Sequence, residues 1–303
     1  MAFKKITETG ENFIRKIASN ANANKIYGNQ SLIKGNNGAL PFSDKEDQPN
    51  LVWVSHITDI RTNNSITNND DFANYLIYLL NKYSEEYGLD ANIIAAQAYQ
   101  ESKYNCWIYN RNVSTASSIS QIVMKTMYDA LYASRFQFLT ISERDTITNG
   151  MINPSSSKGW RNATDSDYLV ASDYENQRKN RSILHQNMIN NPHLVIKIQC
   201  ALMNYVANNN NNLASSTLFA YNRGSELKST NYVSLVNYTA NKFGNKYINE
   251  GVKYVQQIFG FLGDKNNTYI SPLNKPKGYW FGYKIDINPD KFNVFEANAK
   301  SSV

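Results

Sequence analysis

Apolar residues recur at spacings of three and four in several separate stretches of the chain, the period of amphipathic helices. The first strong stretch begins near Asp71, where Phe72, Tyr75, Leu76, Leu79, Leu80 and Tyr83 fall on one face. Asp70 or Asp71 is placed to cap its start, and Gly88 stands where a left-handed stop would fall. A second helix is expected from an Asp90 cap through ANIIAAQAYQES, whose small residues favour close packing. A third is expected over SQIVMKTMYDALYA, with Ile119, Ile122, Val123, Thr126, Met127 and Ala130 on one side. Residues 132–189 are polar and irregular, after which PHLVIKIQCALMNYVANN restores the helical period through Leu194, Ile198, Ala201, Leu202 and Tyr205. LASSTLFAYNRG, stopping at Gly224, and YINEGVKYVQQIFGFLG read as two further helices. Alternating β-branched residues are rare, and only Tyr279–Phe295 reads as strand or extended chain. The fold class is therefore mainly α.

The first 70 residues differ in character. Short apolar pieces such as Leu51-Val52-Trp53-Val54 alternate with Gly35-Asn36-Asn37-Gly38, Pro41 and Pro49, which predicts an extended arm with little regular structure. The expected plan is an arm over 1–70, a helical domain over 71–264 with an insertion at 132–189, and an extended or β C-terminal tail over 265–303. The most apolar stretches, Ile93–Ala98 and Val252–Leu262, fall short of the roughly 18 consecutive apolar residues of a membrane span, so none is expected. The first 25 residues carry Thr, Glu, Gly and Asn where a signal peptide needs an apolar run, so export by the general route is not expected.

Composition narrows the chemistry. With 42% hydrophobic and 13% aromatic residues the chain has ample material for a core, which excludes wholesale disorder. His56, His185, His193, Cys106 and Cys200 show no CxxC or HExxH spacing, so neither a metal site nor a cofactor is expected. Two cysteines allow at most one disulfide, and the sequence leaves open whether Cys106 and Cys200 meet. The 31 Lys and Arg against 25 Asp and Glu give a net charge of +6, but the cations are spread evenly with no block of five, so nucleic-acid binding is not expected.

The residue that alters this picture is Glu101. It ends the second helix, three, four and seven residues after Ala98, Gln97 and Ile94, on the face those residues bury. A carboxyl taken out of water has a raised pKa, which is what protonation of a leaving glycosidic oxygen requires. On position alone the plainer reading, a helix-terminal Glu that reaches solvent or bonds a neighbouring amide, is preferred.

The surrounding motifs reverse that preference. Gly88-Leu89-Asp90 followed by Ile93 through Glu101-Ser102 resembles the catalytic helix of the soluble lytic transglycosylase family, the goose-lysozyme-like cell-wall enzymes. Thr115-Ala116-Ser117-Ser118-Ile119-Ser120-Gln121, with Thr126 five residues on, is similar to the family's Gly-Ala-x-Gly-Leu-Met-Gln and its following Thr. Ala220-Tyr221-Asn222-Arg223-Gly224 resembles Ala-Tyr-Asn-x-Gly, Asn191-Pro192 opens the preceding helix as in the family, and Glu250, Tyr254 and Val255 resemble its late Glu-x-x-x-Tyr-Val element. Four motifs in the right order cover about residues 71–131 and 190–264. Thr115 and Ser118 stand where the family has glycines, which bears on the groove if those backbones take positive φ.

The resemblance implies a lysozyme-like helical domain that cleaves the β-1,4 bond between N-acetylmuramic acid and N-acetylglucosamine in peptidoglycan. Glu101 would act first as acid and then as base toward the muramyl C6 hydroxyl, closing a 1,6-anhydro ring. An ordinary glycosidase uses two carboxylates flanking the bond, and no Asp or Glu lies between Ser102 and Tyr128, so a single-carboxyl mechanism fits. Hydrolysis stays open, since Asp129, Glu226 or Glu250 could fold into the site. By the same resemblance Ser102 and Gln121 would bond the sugar and position Glu101, Tyr221 would lie beside Glu101, and Asn222 would hold the N-acetyl group or the local backbone. Tyr221 reads alternatively as core aromatic, Asn222 as a helix end, Tyr254 as a packing residue and Glu250 as a solvated charge. A non-catalytic virion protein that binds glycan is the rival reading. The expected setting is a bacteriophage virion whose 1–70 and 265–303 segments dock on tail or baseplate proteins and whose enzyme acts in the host wall or periplasm. The flanks carry Trp53, Trp280, Phe281, Phe292 and Phe295.

Overall fold

A computed structural model describes residues 3–20, 57–66, 68–104, 109–110, 116–123, 126–127, 130–131, 138–151, 183–229 and 231–262. About 70% of these are helical and strands are few, as the apolar spacing predicts. They divide into two compact units, one drawn from Met1–Ile17, Leu76–Gln100 and Gln199–Val303, the other from Ala18–Tyr75 and Glu101–Ile198. The C-terminal segment expected to be extended, the flanking Trp and Phe residues, and Cys106 lie outside the described residues.

In the first unit the decisive element is the stretch from Ala91 to Ala98, every residue of which is wholly buried. A helix apolar on all sides has to be enclosed, and its alanines let neighbouring backbones come close. Its start is polar and fully engaged. The Asp90 carboxylate accepts the Asn92 N–H at 2.9 Å, as the expected cap does, and Asn92 Nδ2 donates to Lys5 O at 3.0 Å. Thr7 N–H donates to Asn92 Oδ1, and Ile6 N–H to Asn81 Oδ1, each at 2.9 Å.

Residues 4–7 are therefore laced to the helical core, and the expectation of an irregular arm fails immediately beyond them. Glu8–Asn20 is helix α1, with Gly10 N–H bonded to Thr7 Oγ1 at 3.1 Å and Phe13 and Ile14 in the core. The spacing of Ile6, Gly10, Phe13 and Ile14 carries a short amphipathic signal that the polar run after it obscures. The helices that follow are α2 (Asn69–Glu86) and α3 (Ala91–Ser102). The start of α2 is capped by Asn68, whose Oδ1 accepts the Asp71 N–H at 2.9 Å, rather than by Asp70 or Asp71. Those carboxylates sit inside the first turn, where the helix dipole favours them. Gly88 takes φ +65°, and Leu89 N–H bonds Ser84 O at 2.7 Å in a Schellman stop, as expected.

In the second unit a hairpin of β1 (Thr58–Asp59) and β2 (Asn64–Ser65) precedes α2, and β3 (Tyr109–Asn110), β4 (Ala116–Ser117) and β5 (Ile122–Val123) form an antiparallel sheet in chain order. The helix expected to start before Ile122 is corrected here. Ile122 and Val123 are β-branched and pair with Ser117 and Ala116, and among the described residues of this stretch helix begins at residues 126–127 and recurs at 130–131. The stretch 132–189 is likewise less irregular than expected. It holds α4 (Ile141–Ile147), with a Thr140–Glu143 capping box, and α5 at residues 183–190. Asn187 Nδ2 donates to Ile147 O at 2.8 Å and Asn149 O at 2.9 Å. Glu143 meets Lys197 at 2.8 Å on α6 (Pro192–Asn208). Burial pushes the Glu143 carboxyl up, but the Lys197 ammonium and the Thr140 donors outweigh it and hold the pKa below the ordinary value.

Three helices complete the first unit: α7 (Ala214–Arg223), α8 (Tyr232–Phe243) and α9 (Asn245–Leu262). The sequence shows α7 and α9 but not α8, whose buried stripe is only Tyr232, Leu235 and Thr239. Tyr99 of α3 receives edge-to-face contacts from Phe13 at 4.9 Å and Phe261 at 4.7 Å, joining the first and last helices of the unit. Where α7 meets α9, a Cβ on Gly251 would lie 2.6 Å from Arg223 Cγ and 2.7 Å from the Phe219 ring. Gly251→Ala should therefore lower stability by about 1–3 kcal/mol, seen as a fall in urea midpoint; an unchanged midpoint would show that the contact yields freely.

His185 on α5 is wholly buried, and burial holds its pKa well below the usual 6.5. The unfolded chain then binds the proton more readily, so this contribution to stability is complete above pH 6.5 and is lost as pH falls from there toward the folded pKa. The unfolding free energy, measured in urea, should drop between pH 7.5 and 5.5 with a limiting slope of about 1.4 kcal/mol per pH unit. His185→Phe should flatten that slope, and equal slopes would exclude His185 as its source.

Candidate active site

Glu101 and Ser102 form the last turn of α3. Glu101 is half-buried, while Ser102 is only 2% exposed and donates through Oγ to Ile119 O at 2.6 Å. The chain then leaves the helix through Lys103 and Tyr104, with φ of +54° and +61°, a conformation that costs L-residues about 1–2 kcal/mol each. The wholly packed Tyr104 ring holds that exit in place.

Ile119 belongs to the turn between β4 and β5. Two of its residues are left-handed, Ser118 at φ +63° and Gln121 at φ +45°. The Gln121 N–H and Nε2 both donate to Ser118 O, at 3.1 and 3.0 Å, and Ser118 Oγ donates to Met188 O at 3.4 Å on α5. Ser118 is the second position at which the resembled family carries glycine, and its backbone does take the conformation that favours glycine. A buried hydroxyl bond accompanies the serine that replaces it. Thr115 lies outside the described residues.

A second group of expected site residues is found in the first unit. Tyr221 and Asn222 close α7, and Glu250 and Tyr254 stand on α9. Two of them, Asn222 and Glu250, are joined by Arg223, which fills the variable position of Ala-Tyr-Asn-x-Gly and so carries no motif signal. Its Nε donates to Asn222 Oδ1 at 2.7 Å, Nη1 to Tyr247 O at 3.3 Å, and Nη2 meets Glu250 at 2.8 Å. The guanidinium lies over the Tyr247 ring at 5.0 Å, and Tyr247 OH donates back to Arg223 O. Asn222 and Glu250 are thus brought together by one cation. Tyr254, 5% exposed, is a packing residue in position, and Tyr221 is half-buried. Glu101, Ser102 and Gln121 belong to one unit, and Tyr221, Asn222, Glu250 and Tyr254 to the other.

Among the described residues no group of three His, Cys, Asp or Glu is arranged to hold a metal ion, and no helix is long and apolar enough to cross a membrane. Cys200 is a free, buried thiol whose pKa is pushed up by burial, which leaves it inert as a nucleophile. Compared with protein-family models, with curated proteins and with solved structures, the chain matches none.

The Ser102–Ile119 bond makes the serine structural whatever else it touches. Ser102→Ala leaves a buried carbonyl without this donor and should cost about 1–3 kcal/mol, measured by denaturant unfolding. A variant as stable as wild type would restrict the serine to a contact with ligand.

Proposed function

We propose that the protein is a lytic transglycosylase of lysozyme-like fold that cleaves peptidoglycan with Glu101 as its single acid and base. The observation that carries this reading is the 2.6 Å bond from Ser102 to Ile119. The resemblance rests on a Glu-Ser helix end and a distant Gln-containing turn, and this bond fastens the one to the other. Gln121 is held in the same turn by its two bonds to Ser118 O.

In the proposed reaction Glu101 gives its proton to the O4 of N-acetylglucosamine as the bond to muramyl C1 breaks. The muramyl C6 oxygen then bonds to C1 and its proton passes to Glu101, which restores the acid without water or a second carboxylate. Because α3 is enclosed along most of its length, the carboxyl is carried on a rigid element, as positioning of an acid requires. The proposed setting is a bacteriophage tail, where local opening of the wall is the task, and a basic chain is attracted to an anionic wall at low salt.

Digestion of purified peptidoglycan by the full chain, with mass analysis of the ends, tests this. Wild type should release 1,6-anhydro muropeptides and Glu101→Gln should be slower by about 100-fold or more. Reducing ends in place of anhydro ends would convert the reading to a hydrolase. No release by wild type would leave a glycan-binding structural protein, and equal release by both would remove Glu101.

A further inference from the structure

The first unit contains an open pocket of about 340 Å³, at the lower end of the sizes that hold small ligands, where the end of α7 and the loop after it face α8 and the start of α9. Its lining is unusual in two ways. Tyr238 and Phe243, which both line the pocket, are 52% and 48% exposed, large aromatic faces presented to solvent. Three cations, Arg223, Lys228 and Lys242, stand there against one carboxylate, Glu226. Arg223 is committed to Asn222, Tyr247 O and Glu250 as described, so Lys228 and Lys242 supply the charge offered to a ligand.

Lys242 is poised rather than loose. Its Nζ lies 5.1 Å from the Phe243 ring centre, 5.6 Å from that of Tyr238, and 3.3 Å from Tyr238 OH. Phe243 in turn packs at 5.0 Å, tilted by 39°, against Tyr247, over whose ring the Arg223 guanidinium also lies. The arrangement is a supported aromatic floor with an ammonium and a phenol at its edge. An apolar ring face would rest on the floor, and hydroxyl and anionic groups would meet the edge.

We propose that this pocket binds a single sugar residue carrying an anionic group, its ring against Tyr238 and Phe243 and its carboxylate or phosphate between Lys228 and Lys242. A saccharide matches the floor with its C–H face and the edge with its hydroxyls. A nucleic-acid strand would need a row of cations along a groove rather than one pocket of this volume. The inference does not depend on Glu101 being catalytic.

Titration of the full chain by NMR, with N-acetylmuramic acid as the carboxylate probe and glucose 1-phosphate as the phosphate probe, tests it. N-acetylglucosamine, inorganic phosphate and uridine monophosphate serve as comparisons. At least one anionic sugar should bind tighter than both the neutral sugar and free phosphate, and the stronger of the two identifies the anionic group. Lys242→Gln and Phe243→Ala, both at exposed positions, should each weaken it about threefold to tenfold. Equal binding of neutral and anionic sugars, tighter binding of uridine monophosphate, or no effect of either pocket substitution would overturn the proposal. Anionic-sugar binding that survives in a chain unable to digest peptidoglycan would sink the transglycosylase reading alone.

Discussion

The structure depends on how completely α3 is buried. From Ala91 to Ala98 no side chain reaches solvent, so the helix can be held only if its ends find partners within the protein. The requirement is met differently at the two ends. At the start, Asp90 and Asn92 bond both the first turn and the backbone of residues 5–7. This couples the N-terminal segment to the core and makes α1 part of the fold. At the far end, the Ser102 hydroxyl reaches the carbonyl of Ile119, seventeen residues on. A buried helix of alanines, isoleucines and a few polar groups is thus the element from which a half-buried carboxyl projects.

That exit is costly. Lys103, Tyr104, Ser118 and Gln121 all take positive φ without being glycine, four of the seven such residues among those described. Strain of this kind persists only where surrounding contacts over-determine it, and it gathers at sites that must hold a fixed shape. Such contacts are present here: Tyr104 is packed into the core, Ser118 is bonded to Met188 O, and Gln121 folds its amide back onto Ser118 O. An inward-packed ring and two local bonds offset a backbone that glycine would adopt at less cost.

Much of the helical plan was legible because packing and punctuation agreed. Gly88 and Gly224 end their helices, Asp90 starts one, and Pro192 occupies a first helical position. The failures have physical causes too. The three- and four-residue spacing of Ile119, Ile122 and Val123 fits a helix and a short buried strand equally well, and pairing with Ala116 and Ser117 decides for the strand. Helix α8 keeps Val233, Tyr238 and Phe243 in solvent, so its apolar period does not stand out, and Asn231, which caps it through Ser234 N–H at 2.7 Å, is one Asn among many. For the candidate site, motif spacing located Glu101, Ser102 and Gln121 on elements that do meet in part, through Ser102 and the turn. It missed Arg223 because a variable motif position carries no signal, while the chemistry that joins Asn222 to Glu250 lies in that one guanidinium.

Arg223 also changes what Glu250 can be. The carboxylate side chain is 68% exposed, and an ion pair in that setting contributes about 0–1 kcal/mol. The pair is therefore too weak to hold α7 against α9; that falls to the close approach at Gly251 and to Arg223 packed over Tyr247. Glu250 is therefore closer to a solvated charge than to a structural tie. The same guanidinium donates to Asn222 Oδ1 at 2.7 Å and to Tyr247 O at 3.3 Å, so the end of the Ala-Tyr-Asn turn is joined to α9 through Tyr247 rather than through the carboxylate.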